Sequence, residues 1–343
     1  MEFIDTTYDT EHKPKTTSAD SEALSERELQ KLRRQIERPR RTASIATKLA
    51  AVALTGVAIL HTDIAYNKLR LQHTEPVIHT IADALDESYA DQTTVYIDGF
   101  AGHDGSWITT KMTPAIQAAH DTNTAALEYD RAGISVPEIA QRIADLAERD
   151  DLSSVSLHGY SIGGMLTLET AAILQEKYNI PVDRIFLDQS PSSAATIKTS
   201  VRNPATTVFV DIMGTANTFG LELEYSGIIR GIFDMVSADK AAHLKQSTTK
   251  LMRDQFIYGV NTDVRQSFDR LSQSSPHRPM IIYLSSTSPH RDYMVDLVAS
   301  ETDYHNLAKK YGFDFVPIYV DDAIHSRPDL TIDAYEAAMS NVP

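Results

Sequence analysis

The chain has 343 residues, 42% hydrophobic and 23% charged, which suits a globular protein of one large domain or two small ones. Its formal net charge of −15 argues against nucleic-acid binding as the main task. Zero cysteines exclude disulfides, thiolate zinc sites, iron–sulfur clusters and a cysteine nucleophile; with no HExxH, Walker A or EF-hand pattern either, no cofactor and no metal are expected.

Residues 1–42 form a polar N-terminal region. Its first 20 residues carry almost no apolar periodicity and read as disordered. From Ser21 to Glu37 a charged helix follows, with Leu24, Leu29, Leu32 and Ile36 on one thin stripe, and Pro39 ends it. Residues 43–66 contain an apolar core from Leu49 to Leu60; counted from Ala43, it reaches the lower end of the length that spans a bilayer. Arg33, Arg34, Arg38, Arg40 and Arg41 precede this segment, whereas Lys68 and Arg70 follow it. That asymmetry predicts a single-pass anchor with its N-terminus in the cytoplasm and the bulk of the chain outside. The competing readings are a cleaved signal, disfavoured by its late start and the lack of an A-x-A site, and a helix packed on a secreted or cytoplasmic domain. Residues 67–92 are expected to be a linker helix, because Leu69, Val77, Ile78, Ile81, Ala82 and Leu85 recur at helical spacing.

From residue 93 to residue 343 the pattern alternates. Strands are expected at Thr94–Ile97, Thr124–Tyr129, Ser153–Leu157, Arg184–Leu187, Met280–Leu284 and Asp314–Tyr319. Helices are expected at Ile108–His120, broken or begun near Pro114, and at Val136–Glu148, Gly163–Lys177, Glu301–Tyr311 and Asp329–Met339. This alternation predicts an α/β fold, a mostly parallel sheet covered by helices on both faces, with active-site groups at the carboxyl ends of the strands. An interval from about 194 to 276 is too long for an ordinary connection. It holds an apolar-rich stretch, Thr218–Val236, and a more polar helical one, Asp239–Phe256, and reads as a helical cap.

The most informative stretch is Gly159-Tyr160-Ser161-Ile162-Gly163, a G-x-S-x-G string between an apolar strand and an apolar helix. A strand-to-helix turn this tight strains the serine backbone and leaves no room for side chains two residues before or after it. The serine hydroxyl is thereby raised at a helix N-terminus, where the backbone N–H of Ile162 can face a developing oxyanion.

With the elbow, the long insertion and the strand order together, the chain from about Thr93 onward resembles the α/β-hydrolase superfamily. The resemblance implies a catalytic order of nucleophile, acid, histidine. It assigns the nucleophile to Ser161 and the histidine to His325, which falls after the last strand and before the last helix. Asp292, in the loop after Met280–Leu284, is the preferred acid; Asp188, ending Arg184–Leu187, is the alternative, and Asp296 is a weaker third. The oxyanion donors carried over are the N–H groups of Phe100 and Ile162. His103, His158 and His290 are local competitors of His325, with His158 reading as a packed core residue. Asp98 departs from the family, which usually has His-Gly where this chain has Asp98-Gly99. The implied activity is a membrane-tethered serine esterase or lipase acting on a small-molecule or lipid-like acyl substrate. The alternative is a non-catalytic binding or scaffolding module in which Asp98 marks decay of the oxyanion hole.

Overall fold

The computed structural model describes residues 75–343, apart from 101, 131–132, 199–248, 275 and 326–327. The expected N-terminal region, the anchor at 43–66 and the apolar stretch 218–236 lie outside the described residues. Among the described residues no helix is long and apolar enough to cross a membrane.

A seven-stranded sheet organises the chain, in the order β1-β3-β2-β4-β5-β6-β7. The strands are β1 (Val77–Ala82), β2 (Gln92–Ile97), β3 (Asn123–Glu128), β4 (Ser154–Tyr160), β5 (Val182–Asp188), β6 (Met280–Ser286) and β7 (Phe315–Val320). From β2 to β7 neighbouring strands run parallel, while β1 runs antiparallel to β3. All six strands expected from the pattern are present. Every residue of β4 is buried, because neighbours flank it and helices cover both faces, so even its polar Ser154, Ser156 and His158 lie in the interior. Pro317 is tolerated in β7 because that strand pairs only with β6 and needs no donor on its outer edge.

Two expectations are corrected. The segment 77–82 is a strand, not part of a linker helix. Val77, Ile78, Thr80 and Ile81 are β-branched, and pairing with β3 outweighs a helix-like spacing that has no helical partner face to bury. The first helix, α1 (Ser106–Ala119), runs through Pro114 without a break. Burial of Met112, Ala115, Ile116 and Ala119 on that helix offsets a proline cost of about 3 kcal/mol.

The remaining helices among the described residues are α2 (Val136–Arg149), α3 (Ile162–Tyr178), α4 (Thr249–Asn261), α5 (Arg265–Ser274), α6 (Leu297–Tyr311) and α7 (Ile332–Met339). Two apolar clusters divide them. One packs α2, α3, α5 and α6 against one face of the sheet. The other packs α1 and α7 against the opposite face through Met112, Ile116, Tyr335 and Met339. Helix α3 is buried nearly all round, so it shows no apolar stripe. Helix α5 was expected within the cap, but its Phe268 and Leu271 sit in the main core with Tyr304 and Phe313. The end of the long insertion is therefore part of the body.

Candidate active site

The carboxyl ends of β4, β6 and β7 bring Ser161, Asp292 and His325 together. Ser161 follows β4 at φ 53° and ψ −126°, a strained backbone conformation for a residue with a side chain. Such a conformation costs on the order of 1–3 kcal/mol and persists only when its surroundings hold it. Here the Ser161 N–H donates to the Asp188 carbonyl at 2.8 Å, and the Gly164 N–H donates to the Ser161 carbonyl at 3.0 Å. The flanking glycines are required by space. A Cβ on Gly159 would lie 2.5 Å from the Gly163 carbonyl oxygen, and one on Gly163 would lie 2.3 Å from the Ile97 carbonyl oxygen.

Asp292 follows β6 and a short 3-10 turn, Pro289–Arg291. One carboxylate oxygen accepts the N–H groups of Met294 and Val295 at 2.8 and 2.9 Å. The other lies 2.8 Å from His325 Nδ1. His325 Nε2 in turn lies 3.0 Å from Ser161 Oγ. With Nδ1–H donating to Asp292, Nε2 carries no proton and accepts the serine hydroxyl. All three side chains are buried, as the donation chain requires if water is not to compete for it. Burial pushes the Asp292 carboxyl up, but adjacent His325 and the Val295 and Met294 N–H groups outweigh it and hold the group below its ordinary value.

The loop bearing Asp292 is fixed from the side. Ile197 and Val295 form a short antiparallel bridge, the Asp296 N–H donates to the Thr196 carbonyl, and Lys198 Nζ donates to the Asp292 carbonyl. Tyr160 and Tyr293 place their rings 5.6 and 6.4 Å from the imidazole of His325.

Of the two expected oxyanion donors, Phe100 lies in the loop after β2 and Ile162 directly follows the serine. Ile162 is the first residue of α3. The loop after β2 presses on Ser161, because a Cβ on Gly99 would lie 2.9 Å from Ser161 Cβ. Asp98 turns back on its own loop: its carboxylate accepts the Gly99 N–H at 2.7 Å, and a Cβ on Gly102 would lie 2.4 Å from it. The Asp98 carbonyl accepts the Tyr129 hydroxyl at 2.6 Å.

The other sequence candidates fall elsewhere. Asp188 is fully buried and turned to a different set of partners, with one oxygen accepting the Tyr335 hydroxyl at 2.9 Å and the other 3.3 Å from His158 Nε2. His158 is stacked 5.4 Å from Phe186, in the core as expected. Asp296 caps α6 by accepting the Ala299 N–H. His290 is exposed, and His103 is buried near Glu128. Sequence reasoning missed Tyr335, Lys198 and Gln255, which support these loops from distant elements and match no motif. Among the described residues no group of three or more acidic or histidine side chains is gathered for a metal.

No family model and no curated protein matches the chain. Its structure is similar to that of a candidate aryl esterase from Burkholderia cenocepacia, at 10% identity and a TM-score of 0.50, covering 78% of this chain and 96% of that one. It also aligns with the monoacylglycerol lipase of Paleococcus ferrophilus, at 13% identity and a TM-score of 0.48, over 79% of this chain and 100% of that one. An enol-lactonase from Burkholderia xenovorans LB400 aligns at 12% identity and a TM-score of 0.46, over 77% and 95%. The mostly parallel sheet, the serine elbow after β4 and the likeness to the Burkholderia cenocepacia structure together give this chain the α/β-hydrolase fold.

Proposed function

We propose that the chain is a serine hydrolase that cleaves a carboxylic ester or related acyl bond. The observation that carries this reading is the unbroken hydrogen-bonded line from Asp292 through His325 to Ser161. Ser161 Oγ attacks the acyl carbon while its proton passes to His325 Nε2. Asp292 holds the imidazole tautomer and stabilises the imidazolium; it is ionised throughout, in keeping with its lowered pKa. The oxyanion is received by the N–H groups of Phe100 and Ile162. His325 then gives the proton to the leaving oxygen, and water repeats the sequence on the acyl-enzyme.

Apolar side chains support an apolar acyl or alkyl group. Tyr293 and Ile324 are exposed on the loops that carry Asp292 and His325, and the 218–236 stretch is rich in Leu, Ile, Phe and Met. The rival reading, a non-catalytic module, rests on Asp98. That carboxylate is engaged by its own loop, which leaves the rival without a specific support.

The test is labelling with a fluorophosphonate probe together with hydrolysis of p-nitrophenyl esters. The wild type should label and turn over, and Ser161→Ala should do neither while keeping its thermal midpoint. Labelling of Ser161→Ala at the wild-type level would overturn the assignment.

The apolar segment at 43–66, with arginines before it, supports a single-pass anchor that places the catalytic domain outside. Protease added to intact cells should then degrade the C-terminal domain. A full chain that fractionates as freely soluble, protease-protected protein would refute the tether.

A further inference from the structure

Helix α4 packs against both segments that carry the proposed oxyanion donors: one of its faces meets the Gly99 and Gly102 carbonyls of the loop after β2 and the Ile162 side chain. Gln255, Tyr258 and Gly259 are spaced i, i+3 and i+4, so they share that face. Tyr258 donates its hydroxyl to Glu169 at 2.6 Å, which ties α4 to α3. Gly259 lets the α4 backbone close on the residue after the nucleophile; a Cβ there would lie 3.0 Å from Ile162 Cγ2. Gln255 is fully buried, and its Nε2 donates to the Gly102 carbonyl at 2.9 Å and to the Gly99 carbonyl at 3.3 Å.

The second of these bonds has a stereochemical consequence. In a trans peptide the carbonyl of one residue and the N–H of the next point in opposite directions. The Gly99 carbonyl and the Phe100 N–H belong to one peptide unit. Holding the Gly99 oxygen toward α4 therefore holds the Phe100 N–H toward the opposite side. The Gly102 N–H reinforces this by donating to the same oxygen at 3.1 Å. If this peptide rotated, its N–H would be withdrawn from the oxyanion and its carbonyl would take that place.

We propose that Gln255 is a positioning residue for catalysis, fixing the Gly99–Phe100 peptide so that the Phe100 N–H is preset for the oxyanion. This rests on the serine hydrolase reading above. Gln255 touches no reacting atom, so its effect belongs to the transition state and not to the binding of substrate.

The test uses the full chain, a p-nitrophenyl ester as substrate and an alkyl boronic acid as the tetrahedral mimic. Gln255→Met keeps the volume and removes the donor. It should lower kcat by about 10–100-fold and leave KM within about twofold. Boronate affinity should fall by about the same factor as kcat. Gln255→Glu supplies a diagnostic pH signature. Its carboxylate would face two carbonyl oxygens, and burial raises its pKa, so the protonated form restores a donor. The ratio of its kcat to that of the wild type should rise as pH falls from about 8 to about 5. Wild-type kcat and boronate affinity in Gln255→Met would overturn the proposal. So would a Gln255→Met whose losses follow its folded fraction alone, with no pH-dependent recovery in Gln255→Glu. A wild type that neither hydrolyses esters nor binds the boronate would instead overturn the hydrolase reading, and this inference with it.

Discussion

Two buried histidine–aspartate pairs occur among the described residues, and the proposed function gives them different work. In one, His325 Nδ1 is 2.8 Å from Asp292, with side chains 1% and 2% exposed. In the other, His158 Nε2 is 3.3 Å from Asp188, with both side chains fully buried. Composition, burial and approximate distance do not separate them. The second ring nitrogen does. That of His325 meets the Ser161 hydroxyl at 3.0 Å. That of His158 has no hydrogen-bond partner among the described residues, and its ring is packed between Tyr96 and Phe186. The aspartates differ in kind as well. Asp292 sits in a loop and is satisfied by backbone N–H groups, so its carboxylate is presented to one side chain only. Asp188 ends a strand, is shared between Tyr335 and His158, and supports the nucleophile through its main-chain carbonyl. On the proposed function, a histidine–aspartate pair can pass a proton only where the outer ring nitrogen meets a nucleophile, as that of His325 meets Ser161.

The comparison breaks most sharply at the histidines. His325→Ala should lower kcat by at least about four orders of magnitude, since the proton of Ser161 then has no acceptor. Its thermal midpoint should stay close to that of the wild type. Esterase assays alongside thermal denaturation check both halves. The reverse pattern is expected around Asp188. Asp188→Ala strips Tyr335 and His158 of their shared partner in a dry core and should destabilise the chain by about 3–5 kcal/mol. Activity per folded molecule should remain within about tenfold. Urea unfolding followed by tryptophan fluorescence, read against activity at matched folded fraction, measures this. A milder version is Tyr335→Phe, which removes one hydroxyl donor and should cost about 1–3 kcal/mol with turnover unchanged.

The smallest expected effect sharpens the electrostatic half of the comparison. The Asp292 carboxyl is held below its ordinary value of 3.8. The folded chain therefore binds fewer protons there than the unfolded chain does. The stabilisation is fully present above the ordinary carboxylate range and is lost as pH falls through the lower, folded value. Asp292→Asn should flatten the stability profile below about pH 4, measured as denaturation midpoint against pH.

Much of this arrangement was legible in the sequence, for physical reasons that differ from element to element. Strand β6 was legible as the apolar run Met280–Leu284 because both faces of the sheet are covered there. The serine elbow was legible because its crowding dictates glycine at positions 159 and 163 whatever the rest of the chain does. Asp292 was preferred to Asp188 on the length of its loop, and the geometry joins Asp292 to His325. Strand β1 was not legible, since its residues also fit a helix and only pairing with β3, far along the chain, decides between them. Helix α5 read as cap because no local signal tells whether a polar-looking helix packs on the body. Gln255 carries no motif at all; what it does depends on two carbonyls more than 150 residues away.

The most direct measurement is the rate at which a fluorophosphonate modifies Ser161 in Asp292→Asn and Asp188→Asn side by side, normalised to folded protein and with the modified peptide identified by mass spectrometry. Asp292→Asn is expected to slow modification by about three to four orders of magnitude, because an amide favours the wrong imidazole tautomer. Asp188→Asn is expected to stay within about tenfold of the wild type. A crippled Asp188→Asn beside a near-normal Asp292→Asn would contradict the account and move the relay to the pair in the core.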